Sequence, residues 1–107
     1  MSDDFRIKIK AKRWVGWYEQ NGQKTEMNAF FKFDDAERVG FGIGFDTVGI
    51  SIWHGRLQEN DKAVLSKQYL GKHEVIYSGD YTGKVFKGKW EIKGNCSGNF
   101  ALERIKK

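Results

Sequence analysis

The chain has 107 residues, no proline, one cysteine and a net charge of +5. That length predicts a single domain over residues 1–107, burying about 65% of its unfolded surface and needing neither disulfide nor metal to hold a core. A lone Cys96 excludes an internal disulfide, and no apolar run approaches the ~20 residues of a membrane helix.

The predicted elements are strands throughout, since no stretch sustains apolar residues at helical spacing. The first runs from Phe5 to Gln20. Its opening alternates Phe5, Ile7, Ile9 and Ala11 with Arg6, Lys8, Lys10 and Lys12. After Arg13 the phase shifts, so that Trp14, Gly16 and Tyr18 look inward while Val15 and Trp17 look outward. A phase shift within one strand predicts a bulge near residues 11–13. Asn21-Gly22 then supplies the left-handed pair of a tight hairpin.

A second strand covers 23–33 and ends at the acidic turn Asp34-Asp35-Ala36-Glu37. The third, 39–46, carries Gly40, Gly42 and Gly44 at period two. Glycine repeated on one face makes room for sheet curvature or for a ring lying across it. The column also excludes a phosphate loop, because no helix follows it. Strands over 48–58, 63–70, 73–78, 84–93 and 98–105 complete a count of eight. Their breaks fall at Glu59-Asn60-Asp61, Gly71-Lys72, Ser78-Gly79-Asp80 and Gly94–Gly98, which places Cys96 in a turn. Short connections force antiparallel neighbours. The predicted fold is therefore all-β: an eight-stranded antiparallel up-and-down barrel, which has no open edges.

This meander, with its Trp14-x-Gly16-x-Tyr18 opening and closing Gly98-x-Phe100-x-Leu102, resembles the calycin architecture of lipocalin, fatty-acid-binding and avidin-type barrels. The resemblance lies in rhythm along the whole chain. It implies the fold and a habit of binding small ligands inside the barrel, and no individual functional residue.

Alternation assigns Asp46, His54, Lys67, Tyr69, His73 and Tyr77 to the interior, where polar groups cost several kcal/mol unless paired. They suggest the polar end of a ligand pocket walled by Trp14, Phe31, Tyr69 and Trp90. The expected function is a non-enzymatic module that binds a small, partly apolar ligand. No nucleophile, paired-carboxylate or metal-ligand spacing stands out, so no catalytic residue, metal or cofactor is assigned.

Charge supports an alternative. Residues 5–13 hold five basic and no acidic side chains, and residues 84–107 hold seven basic and two acidic. Barrel closure sets the last strand beside the first and predicts a basic stripe of Arg6, Lys8, Lys10, Lys12, Arg104 and Lys106. Such a stripe suits a nucleic acid, another polyanion or an acidic protein. The opening Met1-Ser-Asp-Asp-Phe-Arg lacks the pattern of a secretory signal, and a cytoplasmic location is expected.

Overall fold

The computed structural model describes residues 11–94 and 96–105. Eight strands follow in order: β1 (Lys12–Gln20), β2 (Gln23–Asp34), β3 (Val39–Asp46), β4 (Gly49–Gln58), β5 (Lys62–Tyr69), β6 (Glu74–Tyr81), β7 (Val85–Ile92) and β8 (Cys96–Arg104). Each pairs antiparallel with its chain neighbours, and β8 returns to β1 to close an up-and-down barrel. The closing ladder runs from Trp14 opposite Arg104 to Tyr18 opposite Phe100. Among the described residues, no helix is long and apolar enough to cross a membrane.

The up-and-down order makes the two ends of the barrel unlike. The β1–β2, β3–β4, β5–β6 and β7–β8 turns gather at the hairpin end. The other three turns share the termini end with Lys12 and Arg104. Asn21 (φ 54°) and Gly22 (φ 82°) form the first hairpin turn in the left-handed conformation that suits the strand twist.

Local details differ from the sequence expectation where glycine was read as a turn. Ser78-Gly79-Asp80 lies within β6, and the chain reverses instead at Thr82–Gly83, where Gly83 has φ 92°. Gly79 serves a close approach: a Cβ there would lie 1.9 Å from the Lys87 carbonyl oxygen. Cys96, Ser97 and Gly98 open β8, so Cys96 is in a strand and not in a turn. Pairing of β1 with β2 is continuous from Lys12 opposite Phe31 to Gln20 opposite Gln23, with no bulge at Lys12 or Arg13. The earlier part of the expected first strand lies outside the described residues.

A larger correction concerns β4. The expected phase put Ile50, Ile52 and His54 inside. Instead Ser51 and Trp53 are buried, while Ile50, Ile52 and His54 are exposed. The two-residue turn Thr47–Val48 is the cause. It pairs Asp46 with Gly49, Phe45 with Ile50 and Gly44 with Ser51. Directly paired residues share a face, so the inward glycines of β3 carry the odd-numbered residues of β4 inward.

The lumen is packed with side chains. Trp14, Phe31, Trp53, Tyr77, Phe86 and Phe100 are all buried within it. The glycine column is what lets the rings fit. A Cβ on Gly40 would lie 2.6 Å from the Phe33 ring, and one on Gly44 would lie 2.5 Å from Trp53 Nε1. At Gly42 it would meet the Phe31 ring at 2.6 Å and the Phe30 carbonyl oxygen at 2.1 Å. Backbone cannot step aside as a side chain can. Gly42→Ala is therefore expected to destabilise the barrel by about 2–3 kcal/mol, the upper range for overpacking. Urea unfolding measures this, and an unchanged midpoint would mean that the wall relaxes freely.

Candidate functional site

The interior polar cluster is built at the hairpin end. β5 carries Lys67 and Tyr69 inward, β6 carries Tyr77, and Asp46 ends β3. Lys67 Nζ donates to Asp46 Oδ2 at 2.7 Å, and both side chains are only 1% exposed. It also reaches Tyr77 Oη at 3.3 Å and Met27 Sδ at 3.4 Å, which uses its three donors. Around the ammonium stand the rings of Tyr69 (4.4 Å to centroid), Tyr18 (5.2 Å), Trp53 (5.2 Å) and Tyr77 (5.4 Å). Their negative faces partly replace lost water.

Asp46 is equally committed. Oδ2 also accepts from Tyr69 Oη at 2.7 Å, and Oδ1 accepts the Val48 N–H at 2.8 Å. Burial pushes the Lys67 amine down, against the opposing hydrogen bond and charge of Asp46. Burial first, then Asp46, pushes the Tyr69 phenol far up, and burial and Asp46 do the same for Tyr77. The four polar groups satisfy one another and bind β3, β5 and β6 together.

Above this pair a shallow cleft of about 170 Å³ opens, lined by Tyr18, Val48, Tyr69, His73, Tyr77 and Trp90 among others. His73 is exposed, in the β5–β6 turn, with its ring 5.2 Å from that of Tyr69. Trp90 is held by its Nε1 donating to the Glu19 carbonyl at 2.9 Å.

The termini end is different. Among the described residues, a cleft of about 230 Å³ is lined by Lys12, Lys32 and Arg104, with Asp35 as its one carboxylate, over Trp14, Phe31, Phe33 and Tyr81. The aromatic floor is continuous: Trp14 stacks with Tyr81 at 6.3 Å, and Phe33 lies 4.5 Å from Tyr81. Burial, then Asp35, pushes the Tyr81 phenol up, and Arg104 opposes them. Among the described residues, Lys12, Lys32 and Arg104 take no part in a salt bridge; the pairs are Lys62–Asp80 and Lys67–Asp46. Trp14 is 1% exposed, and its Nε1 is, among the described residues, the buried side-chain polar atom without a hydrogen-bond partner.

The residues expected to form one pocket are thus divided. Asp46, Tyr69, His73, Tyr77 and Trp90 are at the hairpin end, and Trp14 and Phe31 are at the termini end. His54 belongs to neither: it is on the outer wall, beside Phe41 and Ile52. Of the basic stripe, Lys12 and Arg104 meet at the termini mouth, while Arg6, Lys8, Lys10 and Lys106 lie outside the described residues. Sequence reasoning missed Lys32 and Tyr81, whose signal was their position at the ends of strands that converge there. It also missed the Met27 and Trp53 contacts of Lys67, which depend on cross-barrel packing.

Two measurements test the polar cluster. Removing one partner of a buried ion pair strands the other charge, so Asp46→Ala is expected to cost about 3–5 kcal/mol in urea unfolding. At alkaline pH, tyrosines of the unfolded chain ionise near pH 10, while Tyr69 and Tyr77 stay protonated in the fold. Stability from these phenols is complete below that pH and falls above it by about 1.4 kcal/mol per pH unit for each. The depressed Lys67 contributes with the opposite sign, but only until the unfolded amine has lost its proton, near pH 10.5. Tyr77→Phe should reduce the fall above that point by about a third to a half, since Tyr81 is also pushed up and contributes until it ionises in the fold; a slope equal to that of the unaltered chain would mean that Tyr77 ionises in the fold.

The chain matches no protein-family model, no curated protein and no solved structure, so strand topology alone assigns it to the eight-stranded closed antiparallel barrels.

Proposed function

We infer that the protein is a non-enzymatic binding barrel that takes a small, partly apolar anion at its termini mouth, and not in a hollow lumen. One observation carries this reading: among the described residues, three cations ring an aromatic floor that includes Trp14, whose indole N–H is buried and has no hydrogen-bond partner. A buried donor without an acceptor costs about 1–3 kcal/mol, which a ligand oxygen would recover. Cations at a partly desolvated rim attract an anionic group, and Trp14, Phe33 and Tyr81 offer ring surface to its apolar part.

The calycin-like architecture supports a binding role over a catalytic one. The cleft volume of about 230 Å³ is below the usual range for drug-sized ligands. A single ring bearing a carboxylate or phosphate suits it. The hairpin end is the weaker candidate, because its polar groups are already bonded to each other. The reading joins the two expectations from sequence: aromatic walls for an apolar ligand, and Lys12 and Arg104 for an anion.

Phenyl phosphate, with neutral benzyl alcohol as control, tests the proposal by NMR titration. The anion is expected to shift the Trp14 indole N–H signal, and binding should weaken as salt rises. Lys32→Ala combined with Arg104→Ala should weaken it at least about tenfold, given charge-assisted hydrogen bonds of 1.5–3 kcal/mol. Equal binding of the neutral control, or no change at Trp14, would sink the idea.

A further inference from the structure

The outer wall of the barrel over β2, β3 and β4 is apolar where an antiparallel sheet facing water is ordinarily polar. Phe30, Phe41, Ile43, Phe45, Ile50 and Ile52 are each 42–48% exposed. The strand register makes them contiguous. Phe30, Ile43 and Ile52 form a central row across the three strands. Lys32, Phe41 and His54 form the row on one side, and Asn28, Phe45 and Ile50 the row on the other. A groove of about 460 Å³ runs between Phe30, Phe41, Ile43 and Ile52. The nine positions include no carboxylate.

We propose that this wall is a self-association face, on which two copies of the chain pack as a two-fold symmetric dimer. Its area is suited to that use. At roughly 200 Å² for a large side chain, these exposures leave on the order of 500 Å² of apolar surface per copy. Two copies then remove on the order of 1,000 Å² from these side chains alone, the threshold for a specific interface before its polar rim is added.

The charge pattern selects the arrangement. A two-fold axis lying in the interface and running along the central row reverses the strand direction of one copy over the other. Ile43 then meets Ile43. The row holding Lys32 and His54 lies over the partner's uncharged row of Asn28, Phe45 and Ile50. Rows are about 7 Å apart along the strands, so the like charges are separated by two row spacings. An axis parallel to the strands would instead stack Lys32 and His54 rows on each other and is disfavoured. Arg13, whose guanidinium donates to Asn28 Oδ1 at 3.1 Å, stays at the β1 edge of the patch as part of the rim. The face is remote from the termini mouth in role and in residues, apart from Lys32, which borders both.

Sedimentation equilibrium of the full chain tests the proposal. Twice the chain mass is expected at micromolar and higher concentration. Ile43→Asp, at the centre of the wall, is expected to give the monomer mass while staying folded, since Ile43 is 48% exposed and contributes little to the core, and its unfolding midpoint should no longer rise with protein concentration as that of the unaltered chain does. In a Cys96→Ser background, Ile43→Cys should form a disulfide-linked dimer on mild oxidation, whereas Lys89→Cys on the opposite wall should not. A monomer at all concentrations overturns the proposal. So does a dimer that survives Ile43→Asp. A chain that dimerises only after deletion of residues 1–10 would show its own N-terminal segment to be the occupant. Binding to anionic lipid vesicles as a monomer, lost in Ile43→Asp, would show a membrane surface to be the occupant. Either result overturns self-association.

Discussion

Packing of rings against glycine governs this barrel. Eight short strands enclose a lumen too narrow to hold a large side chain from every inward position. Gly40, Gly42 and Gly44 give up their side chains on one wall, and the rings of Phe33, Phe31 and Trp53 occupy the space. Trp53 is then pinned, with its Nε1 donating to Ser51 Oγ at 3.0 Å. The same fit sets the face of β4, since Trp53 can lie over Gly44 only if the odd-numbered residues of that strand point inward. The outer wall follows directly: Ile50 and Ile52 must then face out, beside Phe41, Ile43 and Phe45 of β3.

A filled lumen also determines what the polar residues inside can do. Lys67 and Asp46 are deeply buried and complete each other's hydrogen bonds with the help of Tyr69, Tyr77 and Met27. Such a pair gains little net energy, because desolvation offsets attraction, yet it strongly penalises any arrangement that separates its members. It therefore acts as a register lock between β3, β5 and β6 and leaves none of these four side chains free to orient a ligand. The proposed binding surfaces therefore lie at the ends and on the exterior. There the cations of the termini mouth and the apolar β2–β4 wall offer groups that the fold itself does not use.

Much of this was legible in the residues. Strand count, antiparallel order and closure follow from alternation and short turns, and Asn21-Gly22 announces its hairpin outright. Asp46 was placed inside by its phase with the glycine column. The same reasoning holds that Phe41, Ile43 and Phe45 face outward, so the signal for the apolar wall was present in β3. It was obscured in β4, where His54 and Trp53 exchanged faces. Period-two alternation identifies two faces but not which one is inside, and a run such as Ile50-Ser51-Ile52-Trp53 has large apolar residues on both. Cross-strand pairing through a two-residue turn resolves it. Glycine is ambiguous in a similar way: Gly79 reads as a turn residue, but it sits in a strand where a neighbouring backbone leaves no room for a Cβ.

The sequence by itself determined the fold class, because alternation, turn chemistry and chain length are local properties that leave few other ways to bury this many aromatics. Only the tertiary structure decided where chemistry is possible. Trp14 and Phe31 parted from Tyr69, Tyr77 and Trp90 because each strand crosses the barrel from end to end. Residues of the same inward phase can thus lie at opposite mouths. Lys12, Lys32 and Arg104 came together for the complementary reason: distant in the chain, they stand at the same end of β1, β2 and β8. Inside or outside is written along a strand, but height in the barrel depends on the register of all eight.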